Sequence, residues 1–253
     1  MSAPDQDSTE QNETTGRQAG AVCFKLGQLP RRALARDIRL RENDLIVAID
    51  GKPIDSDLAE FAKLCDEAKH ADVPLLLTIG RVDCLYDVFV AGPLGVTLDY
   101  ADAAETAAAK TLFADHAMGP KESYQGYEAL RDIHRHVVLY DTGFSPLAVI
   151  CPPAWLIQHR AWEPLAAVMA AYLSAFVVHW GVFAVTVLLL AAYFKRAQYR
   201  LIRNYSLFTE HYFWLVCAAR SMAEAQMICR KLDPRARFDF SYVGPPIEAP
   251  QPN

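Results

Sequence analysis

The longest uninterrupted apolar run, Pro164 to Phe194 (PLAAVMAAYLSAFVVHWGVFAVTVLLLAAYF), carries no formal charge over about thirty residues. Roughly 20 apolar residues cross a bilayer core as helix, so the run predicts a membrane element within 163–200. As one helix it would extend roughly 45 Å against a hydrocarbon core of about 30 Å. The alternative is a hairpin with His179-Trp180-Gly181 at its tip, where an imidazole, an indole and a glycine suit the far headgroup layer. Each arm would then borrow Ala161 and Trp162, or Lys195 to Gln198, with charged tips snorkelling to the interface.

Around this run the polar and apolar positions predict a small soluble unit and a compact tail. Residues 1–19 are polar, with almost nothing to bury, and predict a disordered tail. Ala21 to Lys25 predicts a short strand, and Leu40 to Ile54 a tight turn, a buried strand, an Asp50-Gly51 hairpin turn and a second short strand. Leu58 to about Lys69 has helical spacing through Leu58, Phe61, Leu64, Cys65 and Ala68. Strands follow at 74–79 and 86–90 and, closing the unit, at 94–98. A connector over 101–143 reads as helix at 101–118, ending at Gly119-Pro120, and again at 124–140, where Leu130, Ile133 and Val137 have helical spacing. Phe144 to Gln158 is apolar but broken by Pro152-Pro153, so 144–162 is expected to lie at a membrane surface with Trp155 and Trp162 in the interfacial layer.

In the tail, 201–243 predicts a small strand-helix-strand unit. Its parts are a strand at 213–218, a helix opened by the Ser221/Glu224 capping box and ended by Pro234, and a last strand at 238–242. The proline-rich 244–253 is expected to be extended. The whole reads as α+β: a partly open β-barrel with helices, a transmembrane helical hairpin and a small βαβ tail.

The chain has 253 residues and a net charge of −5, which disfavours nucleic acid as a partner because its basic residues gather beside the apolar run. Arg160 precedes that run, and Lys195, Arg196, Arg200 and Arg203 follow it. These arginines and the lysine read as lipid-headgroup contacts and as a topology signal. Basic residues at both ends place both flanks on the cytoplasmic side, which needs an even number of crossings. The start of the chain has no basic n-region or apolar h-region. Arg31, Arg32, Arg36, Arg39 and Arg41 form a second basic group, read as a solvated face or a contact for headgroups or an acidic partner. Cys23, Cys65, Cys84, Cys151, Cys217 and Cys229 make no C-x-x-C pair and read as reduced, mostly buried thiols. Asp44 and Asp50 fall at turn positions, His134 and His136 lie two apart, and His116 has no evident co-ligand. No metal, cofactor or enzymatic role is therefore expected.

The succession Asp44, Ile46, Ile49, Gly51, Ile54, with Phe24 and Leu29-Pro30 before it, resembles a bacterial-type PDZ domain over about 20–100. It departs from that family at Asn43, where the family has glycine. The resemblance implies strand addition of a partner's C-terminus beside the long helix, with loop amides holding the carboxylate. Gly92 to Leu98 looks like that loop. Leu94, Gly95 and Val96 would then supply amides, and Leu58, Phe61 and Cys65 the apolar wall. Beyond residue 144, three stretches resemble small bacterial inner-membrane proteins of unknown function. They are Pro153, Trp155, Leu156, Arg160 and Trp162; Tyr212 to Val216; and Ser221 to Ala225, with a departure at Asn204-Tyr205. Together these features predict a membrane-anchored adaptor at the cytoplasmic face of a bacterial inner membrane, with membrane proteins and lipid as partners. The alternatives are an assembly subunit of a larger membrane complex and an accessory of a membrane protease.

Overall fold

The computed structural model describes residues 22–208 and 210–247, so the expected disordered tail at 1–19 and the last residues of the proline-rich end lie outside the described residues. Mixed helix and antiparallel sheet make the chain α+β. The N-terminal strands form where period-two patterning and turn chemistry place them: β1 (Phe24–Leu26), β2 (Leu45–Ile49), β3 (Lys52–Pro53), β4 (Leu75–Arg81) and β5 (Cys84–Val90). Asp50 and Gly51 both take positive φ, 47° and 80°, which matches the twist of the strands they join and sets Ile49 opposite Lys52. Asn43 also lies in the left-handed region, at φ 68°, which its short polar side chain tolerates. Helix α1 (Leu34–Asp37) is a single turn, whereas α2 (Leu58–Ala71) is capped by Asp57, whose side chain accepts from the Glu60 amide at 2.8 Å. The closing strand β6 (Leu98–Tyr100) is shorter and later than 94–98. Pro93 has no amide to donate and Gly95 is left-handed at φ 71°, so 94–97 stays a loop.

Two expectations are overturned beyond this point. Residues 124–140 form a hairpin instead of a helix, with β7 (Gln125–Arg131) paired to β8 (Val137–Asp141) around a turn at Arg135, φ 65°. Tyr127, Ala129, Val137 and Leu139 face one core, while Leu130, Val138 and Tyr140 face another. A sheet covered on both faces loses its period-two signature, and the remaining apolar spacing mimics a helix. The helix before it, α3 (Ala103–Ala114), carries an Asp102/Glu105 capping box and ends four residues before Met118.

The second correction concerns the tail, which is no separate unit. Strand β9 (Tyr212–Ala219) enters the main sheet between β5 and β7, giving the order β6-β1-β2-β4-β5-β9-β7-β8, with β3 attached to β2. Seven residue pairs join β9 to β7, from Gln125 opposite Ala219 to Arg131 opposite Tyr212. The sheet is therefore continuous from β6 to β8, and the tail contributes a strand to it. Helix α8 (Met222–Leu232) starts at Ser221, whose side chain accepts from the Glu224 amide, and packs Ala225, Ile228 and Cys229 onto one sheet face. The segment 238–242 is not a strand. Its backbone is held by the Gln226 amide, which donates to the Phe240 carbonyl and accepts from the Tyr242 amide.

Between β8 and β9 the chain leaves the sheet as α4 (Pro146–Ile150), α5 (Pro152–Gln158), α6 (Trp162–Val178) and α7 (Trp180–Phe208). The base of this excursion covers the face of β7-β8-β9 opposite α8, through Trp155, Leu156, Phe194 and Ile202 against Leu130 and Tyr140.

A buried ion pair ties the N-terminal hairpin to β4. Asp44, 2% exposed, accepts from Arg81 Nε at 2.8 Å and Nη2 at 2.6 Å, and also from the Arg41 amide. Removing one partner strands a charge in a low-dielectric interior. Arg81→Met is expected to cost about 3–5 kcal/mol, and adding Asp44→Asn to return part of that loss. Urea unfolding of the two variants against wild type checks both.

Candidate functional sites at the sheet edge and the hairpin base

The loop 92–96 sits between α1 and α2. The Leu94 carbonyl accepts from the Ala35 amide at 3.0 Å, and the Thr97 carbonyl and hydroxyl accept from the Gly27 and Gln28 amides. A Cβ on Gly95 would lie 3.3 Å from Ala33 Cα, and its φ is left-handed, so the loop requires glycine there. With the loop fixed through its carbonyls, the amides of Leu94, Gly95 and Val96 donate to nothing among the described residues. Strand β6 follows directly and, among the described residues, pairs only with β1, leaving its outer edge at the end of the sheet. A strand added antiparallel to β6 would end at this loop, with its terminal carboxylate at the three amides. Leu58, Leu64, Val96 and Leu98 are half-buried beside it. Phe61 and Cys65, expected in the wall, are instead 1% exposed: Phe61 stacks on Phe24 with ring centroids 5.5 Å apart, and both belong to the core beneath. Leu94 is likewise buried and contributes only its amide.

The apolar run forms two helices that break at His179 alone, where the backbone is extended. His179 Nδ1 accepts from the Gly181 amide at 3.0 Å, closing the turn. Phe183 contacts both Tyr172 and Phe176 at 5.8 Å, and Val168, Tyr172, Leu190 and Phe194 pack together lower down, so the helices fold back as a hairpin. Away from that seam Leu173, Val177, Val178, Val185, Leu188 and Leu189 are exposed. Helix α7 is long and apolar enough to cross a membrane. It has two halves. Up to Phe194 it projects apolar side chains outward, and beyond it Phe194, Gln198, Ile202 and Ser206, four residues apart, turn inward onto the sheet.

That division sorts the basic residues. Lys195, Arg196 and Arg200 are exposed and make no ion pair among the described residues. Arg160 pairs with Asp239 at 3.0 Å and lies over the Phe240 ring. Arg203 is half-buried: its guanidinium lies 4.3 Å from the Phe213 ring, while Arg39 covers the same ring at 5.0 Å. Burial, and then the charge of Arg203, lowers the Arg39 pKa. This sandwich joins the N-terminal unit to the root of α7. Trp155, expected in the interfacial layer, is buried against Phe194, while Trp162 is exposed.

Beside Trp155 a cavity of about 400 Å³ opens between α5, α7 and the β7-β8 hairpin. A larger cleft, about 770 Å³, lies next to Asp44 and Arg81, whose charges are already committed to each other. All six cysteines are unpaired and only Cys151 is exposed; burial pushes the Cys65 thiol up to about 11 and Cys217 to about 12. Among the described residues no group of three His, Cys, Asp or Glu side chains is placed to hold a metal. His116 bonds the buried Asp87 at 3.1 Å, and Asp87 also accepts from Thr78. Sequence reasoning missed the Arg39–Phe213–Arg203 sandwich and the cavity, since both join residues distant in the chain. The four-residue spacing of Phe194, Gln198, Ile202 and Ser206 was the available signal for an inward face. No family model and no curated protein matches the chain.

His159 lines the smaller cavity, and burial lowers its pKa below the ordinary histidine value. The unfolded chain therefore binds a proton near pH 6.5 that the native chain resists, so stability falls as pH drops through that value. Between pH 7 and pH 5 the loss should be smaller in His159→Gln than in wild type, as read by chemical unfolding at each pH.

Proposed function

We propose that this chain is a membrane-anchored adaptor, in which a PDZ-like unit captures the C-terminus of a protein partner beside a bilayer that the α6-α7 hairpin enters. The observation that carries the peptide half is the conjunction, among the described residues, of an unpaired outer β6 edge with three unengaged amides at its start. Backbone amides grouped on a turn favour a carboxylate, and the exposed edge supplies main-chain hydrogen bonds along the bound segment. Leu58, Val96 and Leu98 offer apolar contact for the final side chains.

The anchoring half is supported by the exposed apolar surface of both helices and by the way β9 returns to the sheet. A single crossing would put β9 on the opposite side of the bilayer from β7, to which it is paired along its whole length. An even number of crossings, or entry from one face, keeps the pair together. Lys195, Arg196 and Arg200 then sit where anionic headgroups of the inner leaflet attract them. Holding a weak peptide-binding module at the membrane raises its effective concentration for membrane partners, so modest intrinsic affinity suffices.

A second reading, an assembly subunit of a membrane complex, is favoured by one feature. Ala166, Ala167, Ala170, Ala171 and Ser174 are all exposed along α6, and small residues allow close helix–helix approach in lipid. The two readings separate on the groove.

For the adaptor, peptides from a random C-terminal library should bind the full chain in detergent at least tenfold more tightly with a free carboxylate than with an amidated end. Gly95→Val should abolish that preference while the circular dichroism spectrum is retained. Fluorescence anisotropy measures both, and equal binding of free and amidated peptides would favour the subunit reading.

A further inference from the structure

We propose that the cavity at the hairpin base binds a neutral, flat amphiphile bearing two carbonyl groups, of the quinone type. At about 400 Å³ it falls within the roughly 300–1,000 Å³ of small-molecule sites. Its walls are aromatic: Trp155, 4% exposed, with Phe144 and Tyr140. Flat faces of this kind hold a planar ring by stacking.

Two polar groups face this space without partners. Gln198, 7% exposed, accepts from the Ser145 amide at 3.3 Å through its oxygen, which leaves its NH2 group with no acceptor among the described residues. The His159 ring packs 4.7 Å from Trp155 and 6.1 Å from Tyr140, and neither ring nitrogen is hydrogen-bonded among the described residues. Gln198 is buried and His159 half-buried, and both line the cavity, so the two groups serve as recognition elements for a ligand with two acceptor oxygens.

The charges around the cavity exclude an anion. Arg203 lines it but is stacked on Phe213 and shared with Tyr199, which is also bonded to Glu128. Asp141 also lines it and, among the described residues, accepts from the Gly143 amide alone. A fatty acid or phosphate would meet this negative charge beside an arginine already engaged by Phe213 and Tyr199, whereas a quinone-type head presents carbonyls and no charge. Supply of the ligand from the bilayer rests on the anchoring proposed above; the binding itself does not.

The test uses the full chain in neutral detergent micelles, with a decyl-substituted benzoquinone as probe and tryptophan fluorescence as readout. A saturable quench is expected in wild type and absent in Trp155→Phe. His159→Leu and Gln198→Leu should each weaken the apparent affinity about tenfold, the loss of one net hydrogen bond. Near-UV dichroism reports whether each variant is folded; if neither leucine variant folds, Trp155→Phe together with competition decides. A tetramethyl benzoquinone without the decyl chain should compete with the probe, and dodecanoate should not. No saturable quench, unchanged affinity in folded variants, or equal displacement by dodecanoate would overturn the proposal. Flotation with phosphatidylglycerol vesicles separates the two claims. A chain that floats without binding the quinone defeats only the cavity, and one that binds it without floating defeats only the anchoring.

Discussion

The pairing of β9 with β7 is the constraint on which the rest of the molecule depends. It joins residues on either side of a long helical excursion into one sheet, with Gly126 opposite Ala218 and Leu130 opposite Phe213. Such non-local pairing has to overcome the entropy of closing a large loop, which grows only slowly with loop length. What offsets it here is burial on both faces. Ala225, Ile228 and Cys229 of α8 pack on one side, and Leu156, Phe194 and Ile202 of the hairpin base pack on the other. The hairpin is therefore rooted in the sheet, which sets its orientation in place of a flexible linker.

Rooting has a mechanical consequence. The Phe213 ring, on β9, is held between Arg39 of the N-terminal unit and Arg203 of α7. Cation–π contacts of this kind contribute roughly 0.5–2 kcal/mol each, and more where water is excluded. A displacement of α7 would thus be felt at Arg39, whose carbonyl accepts from Arg81 and whose neighbour Leu40 lies in the core beside Phe24 and Leu94. The sheet-edge loop, the buried Asp44–Arg81 pair and the root of the hairpin form one packed body.

Much of the N-terminal unit was legible in the sequence because its signals are local. Asp50-Gly51 dictates a turn, and the spacing of Leu58, Phe61, Leu64, Cys65 and Ala68 a helix. The hairpin break was equally local, since His179-Trp180-Gly181 interrupts a run that is otherwise uniformly apolar. The misread parts are those where tertiary cover decides. Leu130 and Val137 look helical because β7 and β8 are covered on both faces, and β9 looked like part of an isolated tail because its partners on β7 and β5 lie far back in the chain. Phe61, Cys65 and Arg203 carry residue types that suit a groove or a headgroup layer. Whether such side chains point outward depends on packing that no single stretch of sequence records.

A cysteine pair across the β7-β9 ladder tests this arrangement most directly. Gln125→Cys with Ala219→Cys, in a chain whose native cysteines are replaced by alanine, should form a disulfide when intact membranes are treated with a permeant oxidant. Failure to cross-link, with the two thiols labelled by impermeant reagent from opposite faces of the membrane, would contradict the single sheet and everything built on it.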